Sequence, residues 1–300
     1  MKQTALILGA RGRFGRHAAA AFEAAGWTVR RFNRDTDDLW DAAWGAQVIV
    51  NGWNPVPWRW EAELAKLTEE LAEVAAASGA TVFVPGNVYS YGADLPPVLT
   101  EQTPHAATHV YGRLRREMEE TLRGAGVRTV ILRAGDFLDD APSGNWFDKI
   151  MVAGLPKGVL TMPGPVDVPH AYAFLPDMAR AVVDLAERRD TLALFEDIPF
   201  DGLTLTGQEI ADHLAALMDR PVRIKRFGWT PLRVLRPAWP MARYLVAMRY
   251  LWERPHQLDG ARLDTLLPNR QRTDARTALA AAIGHHIDVD EGVPGEATVA

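Results

Sequence analysis

The 300-residue chain contains no cysteine. That absence excludes disulfides, thiolate metal sites, iron–sulfur clusters and a cysteine nucleophile, and it fits a reducing compartment. Long apolar runs are missing too. Residues 5–8 are too few for the core of a signal peptide. The longest candidate for a membrane contact, residues 234–252, carries Arg236, Arg243, Arg249, Pro237 and Pro240, so no segment is expected to span a bilayer. An excess of positive charge is also lacking. The chain has 33 Lys and Arg against 38 Asp and Glu, a net charge of −5, which argues against nucleic-acid binding through bulk electrostatics. A cytoplasmic protein is the expectation. With 48% apolar and 24% charged residues the composition is that of an ordinary globular chain.

The first half alternates short apolar runs with amphipathic helical patterns. Residues 5–8, 28–32, 47–51, 81–84 and 127–133 read as strands. Residues 14–25, 61–78 and 111–123 read as helices, ended by Gly26, Gly79 and Gly124. Strands rich in Val, Ile and Leu and separated by helices predict a Rossmann-type, doubly wound parallel sheet. The second half differs. Residues 135–176 read as long loops around a helix near 145–153. Residues 177–188 and 206–219 read as helices, the second opening on Thr206 with Glu209 at capping-box spacing. Residues 222–227 read as a short strand and 230–252 as one arginine- and aromatic-rich helix. The expected division is a dinucleotide-binding unit over residues 1–135, with returning elements to about 200. A small α+β substrate lobe takes 136–176 and 200–287, and 288–300 is a flexible tail.

Chemistry concentrates first at Gly9-Ala10-Arg11-Gly12-Arg13-Phe14-Gly15, between the first strand and the first helix. The G-x-x-G-x-x-G spacing supplies a tight turn, a close backbone approach to a pyrophosphate and close helix–strand packing. The helix N-terminus then offers free N–H groups and the positive end of its dipole to the phosphates. At the end of the second strand the chain reads Arg30-Arg31-Phe32-Asn33-Arg34-Asp35. Arginines there suit a 2′-phosphate, so NADP(H) is expected over NAD(H), with Arg34, Arg31 and Arg11 as ligands. Asp35 keeps NAD(H) open as a ribose-hydroxyl acceptor. Asn51, Gly52 and Trp53 follow the third strand and are expected to line the nicotinamide-ribose side. Trp53, Trp58 and Trp60 are candidates for the wall of a small-molecule pocket.

These stretches resemble the short-chain dehydrogenase/reductase superfamily, in its extended or atypical branch of NAD(P)-dependent epimerase/dehydratase-like proteins. The likeness covers roughly residues 1–220. It is carried by Gly9–Gly15, by residues 82–92 with their Tyr91-Gly92 ending, by Tyr111-Gly112-Arg113-Leu114-Arg115 at the family's Tyr-x-x-x-Lys, and by Leu132-Arg133-Ala134-Gly135. Residues 170–179 are similar to the segment where the chain returns to the sheet. The resemblance implies Tyr111 as the general acid/base for hydride transfer at a carbonyl or alcohol carbon. Arg115 stands in place of the lysine that lowers the tyrosine pKa. Asn87 stands in place of the serine that binds the substrate oxygen. An amide N–H can still polarise an oxyanion, with Ser90 and Tyr89 as nearby hydroxyls. The alternative implied by these two departures is a non-catalytic NADP(H)-binding sensor or regulatory module.

Other features read as structural. No metal site is expected: His285-His286 are adjacent, adjacent side chains rarely converge on one ion, and the pair reads as surface. Asp136, Asp139 and Asp140 read as loop charges, and His170 and Tyr172 as edges of the substrate cleft. The basic, aromatic segment with Arg223, Arg226, Arg233, Arg236, Arg243 and Arg249 reads as a helix packing its aromatic face inward. A homodimer is left open.

Overall fold

The structure, a computed structural model, describes residues 2–287; the expected flexible tail lies outside the described residues. Six parallel strands form one sheet: β1 (Thr4–Leu8), β2 (Thr28–Arg31), β3 (Val48–Asn51), β4 (Thr81–Asn87), β5 (Thr129–Ala134) and β6 (Phe195–Pro199). Their order is β6-β5-β4-β3-β1-β2. Helices α1 (Arg13–Ala24) and α4 (Leu175–Glu187) pack together on one face, and α2 (Trp60–Ser78) and α3 (Val110–Gly124) on the other. This is the Rossmann-like, doubly wound α/β fold expected from the alternation of elements.

The sheet is buried on both faces, so successive residues of a strand serve different layers. Leu6, Leu8, Ile49, Val82, Val84 and Ile131 pack with Leu64, Leu71, Met118 and Leu122 of α2 and α3. Ala5, Ile7, Val48, Val50, Phe83, Val130 and Leu132 pack with Phe14, Phe22, Met178 and Val182 of α1 and α4. Burial of each large aliphatic side chain contributes roughly 1.5–3 kcal/mol. These two layers therefore hold the helices more than helix propensity does. The strand order reverses between β1 and β3, and ligands of such sheets bind outside the carboxyl ends of the strands at that switch point.

A smaller layered unit adjoins the sheet. Strands Asp136–Leu138, His170–Phe174 and Leu203–Leu205 form one sheet, and Val159–Met162 pairs with Arg223–Arg226. These strands replace the long loops expected over 135–176. They are three to five residues long and take partners distant in sequence, so local periodicity does not show them. Helix α5 (Gly207–Met218) begins with the expected capping box between Thr206 and Glu209. The single helix expected over 230–252 is broken into α6 (Thr230–Leu235), α7 (Pro240–Ala247) and a 3₁₀ turn, Arg249–Trp252. Proline cannot continue a helix but suits its first turn, and Pro240 opens α7. Trp229 and Trp252 are buried as expected, whereas Val234, Leu235 and Trp239 are exposed. Helix α8 (Ala275–Ile287) closes this core through Ala278, Leu279, Ala282 and Ile283. Among the described residues no helix is long and apolar enough to cross a membrane.

Candidate active site

Gly9 follows β1 with φ +69°, a left-handed conformation that L side chains rarely adopt. A Cβ there would also stand 2.6 Å from the Gly52 carbonyl oxygen. A Cβ on Gly15 would overlap the Gly9 carbonyl. The loop is thus closed against the end of β3 by contacts that only glycine permits. Gly12 donates its N–H to the Gly9 carbonyl at 2.8 Å and caps α1. The first N–H groups of α1, on Arg13, Phe14 and Gly15, lack intrahelical acceptors, as at any helix start. No acidic residue in the first turn competes for them. Phe14 contributes only its backbone, because its side chain is buried in the α1–α4 layer.

The arginines divide. Arg31 is held by Glu23 through bonds of 2.7 and 2.8 Å. Arg13 donates to the carbonyls of Ser143 and Gly144 at 2.8 and 3.0 Å. Both side chains are therefore engaged in this structure by partners that the spacing did not show. Arg30 bonds the carbonyls of Ala42 and Trp44. Arg34 lies over the Trp53 ring, 5.2 Å from its centroid, and neither it nor Arg11 has an ion-pair partner among the described residues. Trp53 is buried and packs edge-on against Phe32. Asn51 accepts from the Trp53 N–H at 3.3 Å and shapes the turn.

Helix α3 starts beside the carboxyl end of β4 and carries Tyr111 and Arg115. Tyr111 packs edge-on against Trp60 and against Tyr244 of α7, with centroids 6.0 and 4.9 Å apart. Its hydroxyl makes no hydrogen bond among the described residues. Tyr89 and Tyr244, by contrast, bond each other at 2.7 Å. Burial raises the Tyr111 pKa above the ordinary phenol value, opposed by Arg243 and aided by Glu61. The expected action of Arg115 on Tyr111 is not what the geometry gives. The Arg115 guanidinium lies on the Trp60 ring at 4.0 Å and donates to Asn54 at 2.6 Å. Burial lowers its pKa, opposed by Tyr89, Glu119 and Tyr244. Asn87 ends β4. Its side-chain oxygen accepts from the Tyr89 N–H at 3.0 Å and its carbonyl from Arg133 at 2.6 Å. Its amide N–H₂ is left without an acceptor among the described residues. Ser90 is fully buried and accepts from Arg133 at 3.0 Å, and Tyr89 is hydrogen-bonded to Tyr244, so both hydroxyls already have a partner within the protein.

The residues after β5 add groups first read as peripheral. Asp136 accepts from His170 at 2.8 Å. His170 stacks face to face on Trp252, centroids 4.1 Å apart and planes 1° off parallel. Its other ring nitrogen contacts the Leu251 carbonyl at 3.2 Å. Asp136 stands opposite Tyr172 in the strand register, and its charge raises the pKa of Tyr89, Tyr172 and Tyr244. It lies in the strand Asp136–Leu138 rather than in a loop. The only available signal was its place directly after Gly135. Asp139 is likewise no surface charge: it is buried and paired with Arg16 and His17. Trp60 is buried beneath the tyrosines, and only Trp58 of the three expected wall tryptophans is exposed.

His256 sits behind this cluster, 4.5 Å from His170. Burial, reinforced by His170, pulls its pKa from 6.5 down to about 3. In that window the unfolded chain binds the proton and the native chain does not, so stability falls as pH falls. The expected slope is about 1.4 kcal/mol per pH unit below roughly pH 6.5. Urea titrations between neutral pH and pH 5 check it. His256→Asn is expected to flatten that limb, and an unchanged limb would remove His256 as its cause.

No protein-family model matches the chain, and no curated protein does. Solved structures do. One is MoeE5 in complex with UDP-glucose and NAD, at 16% identity over 94% of this chain and 97% of that one, with a TM-score of 0.72. A nucleoside-diphosphate-sugar epimerase from Pseudomonas aeruginosa aligns at 17% identity over 97% and 99%, TM-score 0.72. A UDP-glucuronic acid 4-epimerase from Bacillus cereus in complex with NAD aligns at 14% identity over 95% and 99%, TM-score 0.70. At these identities the similarity establishes the fold.

Proposed function

We propose that the chain is a nicotinamide-dinucleotide-dependent oxidoreductase or epimerase acting at a carbonyl or alcohol carbon, with Tyr111 as general acid/base. The observation that carries this reading is the alignment of parts along one sheet edge. A glycine-only cradle at the switch point and an amide with an unengaged N–H₂ lie at the carboxyl ends of β1, β3 and β4, and a phenol with an unengaged hydroxyl stands in the first turn of α3, the helix that follows β4. The backbone N–H groups at the start of α1 would hold the pyrophosphate, and Asn51 to Trp53 would line the nicotinamide-ribose side. A dinucleotide bound there supplies a hydride donor or acceptor. Tyr111 donates a proton to the substrate oxygen or takes one from it, and Asn87 hydrogen-bonds the same oxygen. The neighbour solved with UDP-glucose makes nucleotide sugars the first substrates to try.

The same reading assigns NADP(H) over NAD(H), although two of the neighbours named above were solved with NAD. Arg34 and Arg11 have no ion-pair partner among the described residues, Asp35 is exposed in a turn beyond β2, and Asp37 is turned back onto the Asn33 N–H and the Thr36 hydroxyl. Arg34→Ala is expected to weaken NADPH binding about 10- to 100-fold, the loss of one charge-assisted contact, and to leave NADH binding within about threefold. Equal losses for both cofactors would refute the assignment of Arg34 to the 2′-phosphate.

The regulatory reading has one observation in its favour: Arg115 is turned away to Asn54 and Trp60, and burial keeps the Tyr111 pKa above the ordinary phenol value despite Arg243. A turnover screen with nucleotide sugars and small carbonyl compounds separates the two. Cofactor-dependent product formation supports the enzyme; dinucleotide binding without turnover of any compound supports the regulator.

A further inference from the structure

Three groups of acidic and histidine side chains lie close enough to share an ion: His17 with Asp139 and Asp140, His105 with Glu119 and Asp197, and Asp148 with His285 and His286. Two are explained by arginine. Arg16 is paired with Asp139, and Arg133 bridges Glu119 and Asp197. The third has no guanidinium. Both imidazoles sit on the last turn of α8, with ring centroids 4.3 Å apart. Their Nε2 atoms converge on one oxygen, Oδ1 of Asp148, at 3.6 and 3.8 Å. These separations are too long for hydrogen bonds. They come within a few tenths of an ångström of the roughly 3.4 Å that separates two ligands bonded at about 2.0–2.1 Å to a tetrahedral ion.

The orphaned atoms point the same way. Asp148 Oδ1, His285 Nε2 and His286 Nε2 are buried without a hydrogen-bond partner among the described residues. The other Asp148 oxygen is fully engaged: it accepts from the Ser143 N–H at 2.8 Å, the Ser143 hydroxyl at 3.0 Å and the Gly144 N–H at 3.0 Å. Such outer contacts fix a ligating carboxylate. A buried carboxylate oxygen left bare is costly.

We propose that Asp148, His285 and His286 form a site for a divalent transition-metal ion of the zinc type, with water completing the shell. Adjacent histidines rarely converge on one ion; here Asp148, from a different part of the chain, lies within 4 Å of both Nε2 atoms. The ion would tie α8 to the turn at Ser143 and Gly144, whose carbonyls also hold Arg13 of the glycine loop.

The test is a titration of untagged, EDTA-treated full-length protein with Co²⁺, followed by visible absorption. A ligand-field band saturating at one ion per chain and bleached by Zn²⁺ is expected. His286→Gln and Asp148→Asn should each weaken Co²⁺ binding about 100-fold or more, and Ser143→Ala about tenfold, with near-ultraviolet circular dichroism unchanged. If Asp148→Asn does not fold, His286→Gln decides alone. No saturable band, or a band that His286→Gln leaves intact, would overturn the site. Neither result depends on dinucleotide binding or turnover.

Discussion

Replacing Tyr111 by Phe is expected to lower turnover about 10²- to 10⁴-fold, the range of a positioned general acid or base. Cofactor affinity and stability should barely move. The Tyr111 hydroxyl has no hydrogen-bond partner to lose among the described residues, and its ring contacts with Trp60 and Tyr244 survive in Phe. The control is Tyr244→Phe, which leaves the buried Tyr89 hydroxyl without its partner at 2.7 Å and should cost about 1–3 kcal/mol of stability. Because burial raises the Tyr111 pKa, the residue stays protonated throughout the neutral range. The reductive reaction should accordingly show no acidic or neutral limb from this group. Kinetics of both variants over pH 6–9 check these points. Turnover that survives Tyr111→Phe would move proton transfer elsewhere in the cleft, with the Asp136–His170 pair next to be tested.

The largest expected effect on stability belongs to Arg133. Arg133→Met should cost about 3–5 kcal/mol, the usual consequence of removing one member of a buried ion-pair network. Its guanidinium is fully buried. It bonds Asp197 at 2.9 and 2.6 Å, Glu119 at 3.1 and 2.9 Å, and the Asn87 carbonyl at 2.6 Å. Methionine fills much of the volume but leaves both carboxylates uncompensated. Burial would raise the Asp197 pKa, yet Arg133 and His105 more than offset it and hold the carboxyl well below its ordinary 3.8. A depressed carboxylate contributes stability that is fully present above about pH 4 and is lost as pH falls through its native value. Urea denaturation at pH 7 measures the loss. A change under about 1 kcal/mol would mean that Glu119 and Asp197 find other partners. Because Arg133 also holds the Asn87 carbonyl, a folded variant should show impaired turnover.

Much of the fold could be read from the sequence because its signals are local. The glycine loop, the five strands read from apolar runs and the three helices read between them all came from spacing within a few residues. What escaped depends on partners distant in the chain. Arg31 and Arg13 look free in the sequence, but Glu23 and the Ser143–Gly144 carbonyls occupy them. Arg115 sits one helical turn after Tyr111, yet Trp60 and Asn54 take its guanidinium. Asp136 and His170 meet only because two short strands of the second sheet run side by side. The 230–252 segment has helical periodicity throughout, and its prolines should have overruled that pattern.

The central claim is that the glycine cradle at the β1–β3 switch point binds a nicotinamide dinucleotide. Calorimetric titration of the full-length protein with NADPH and, separately, with NADH tests it most directly. The expected result is one site per chain, saturating well below millimolar concentration, with NADPH the tighter by about tenfold or more and binding lost in Gly15→Ala. Failure of both cofactors to bind at about 1 mM, a free energy weaker than about 4 kcal/mol, would contradict the account, leaving the loop as a structural turn and the cleft without its reactant.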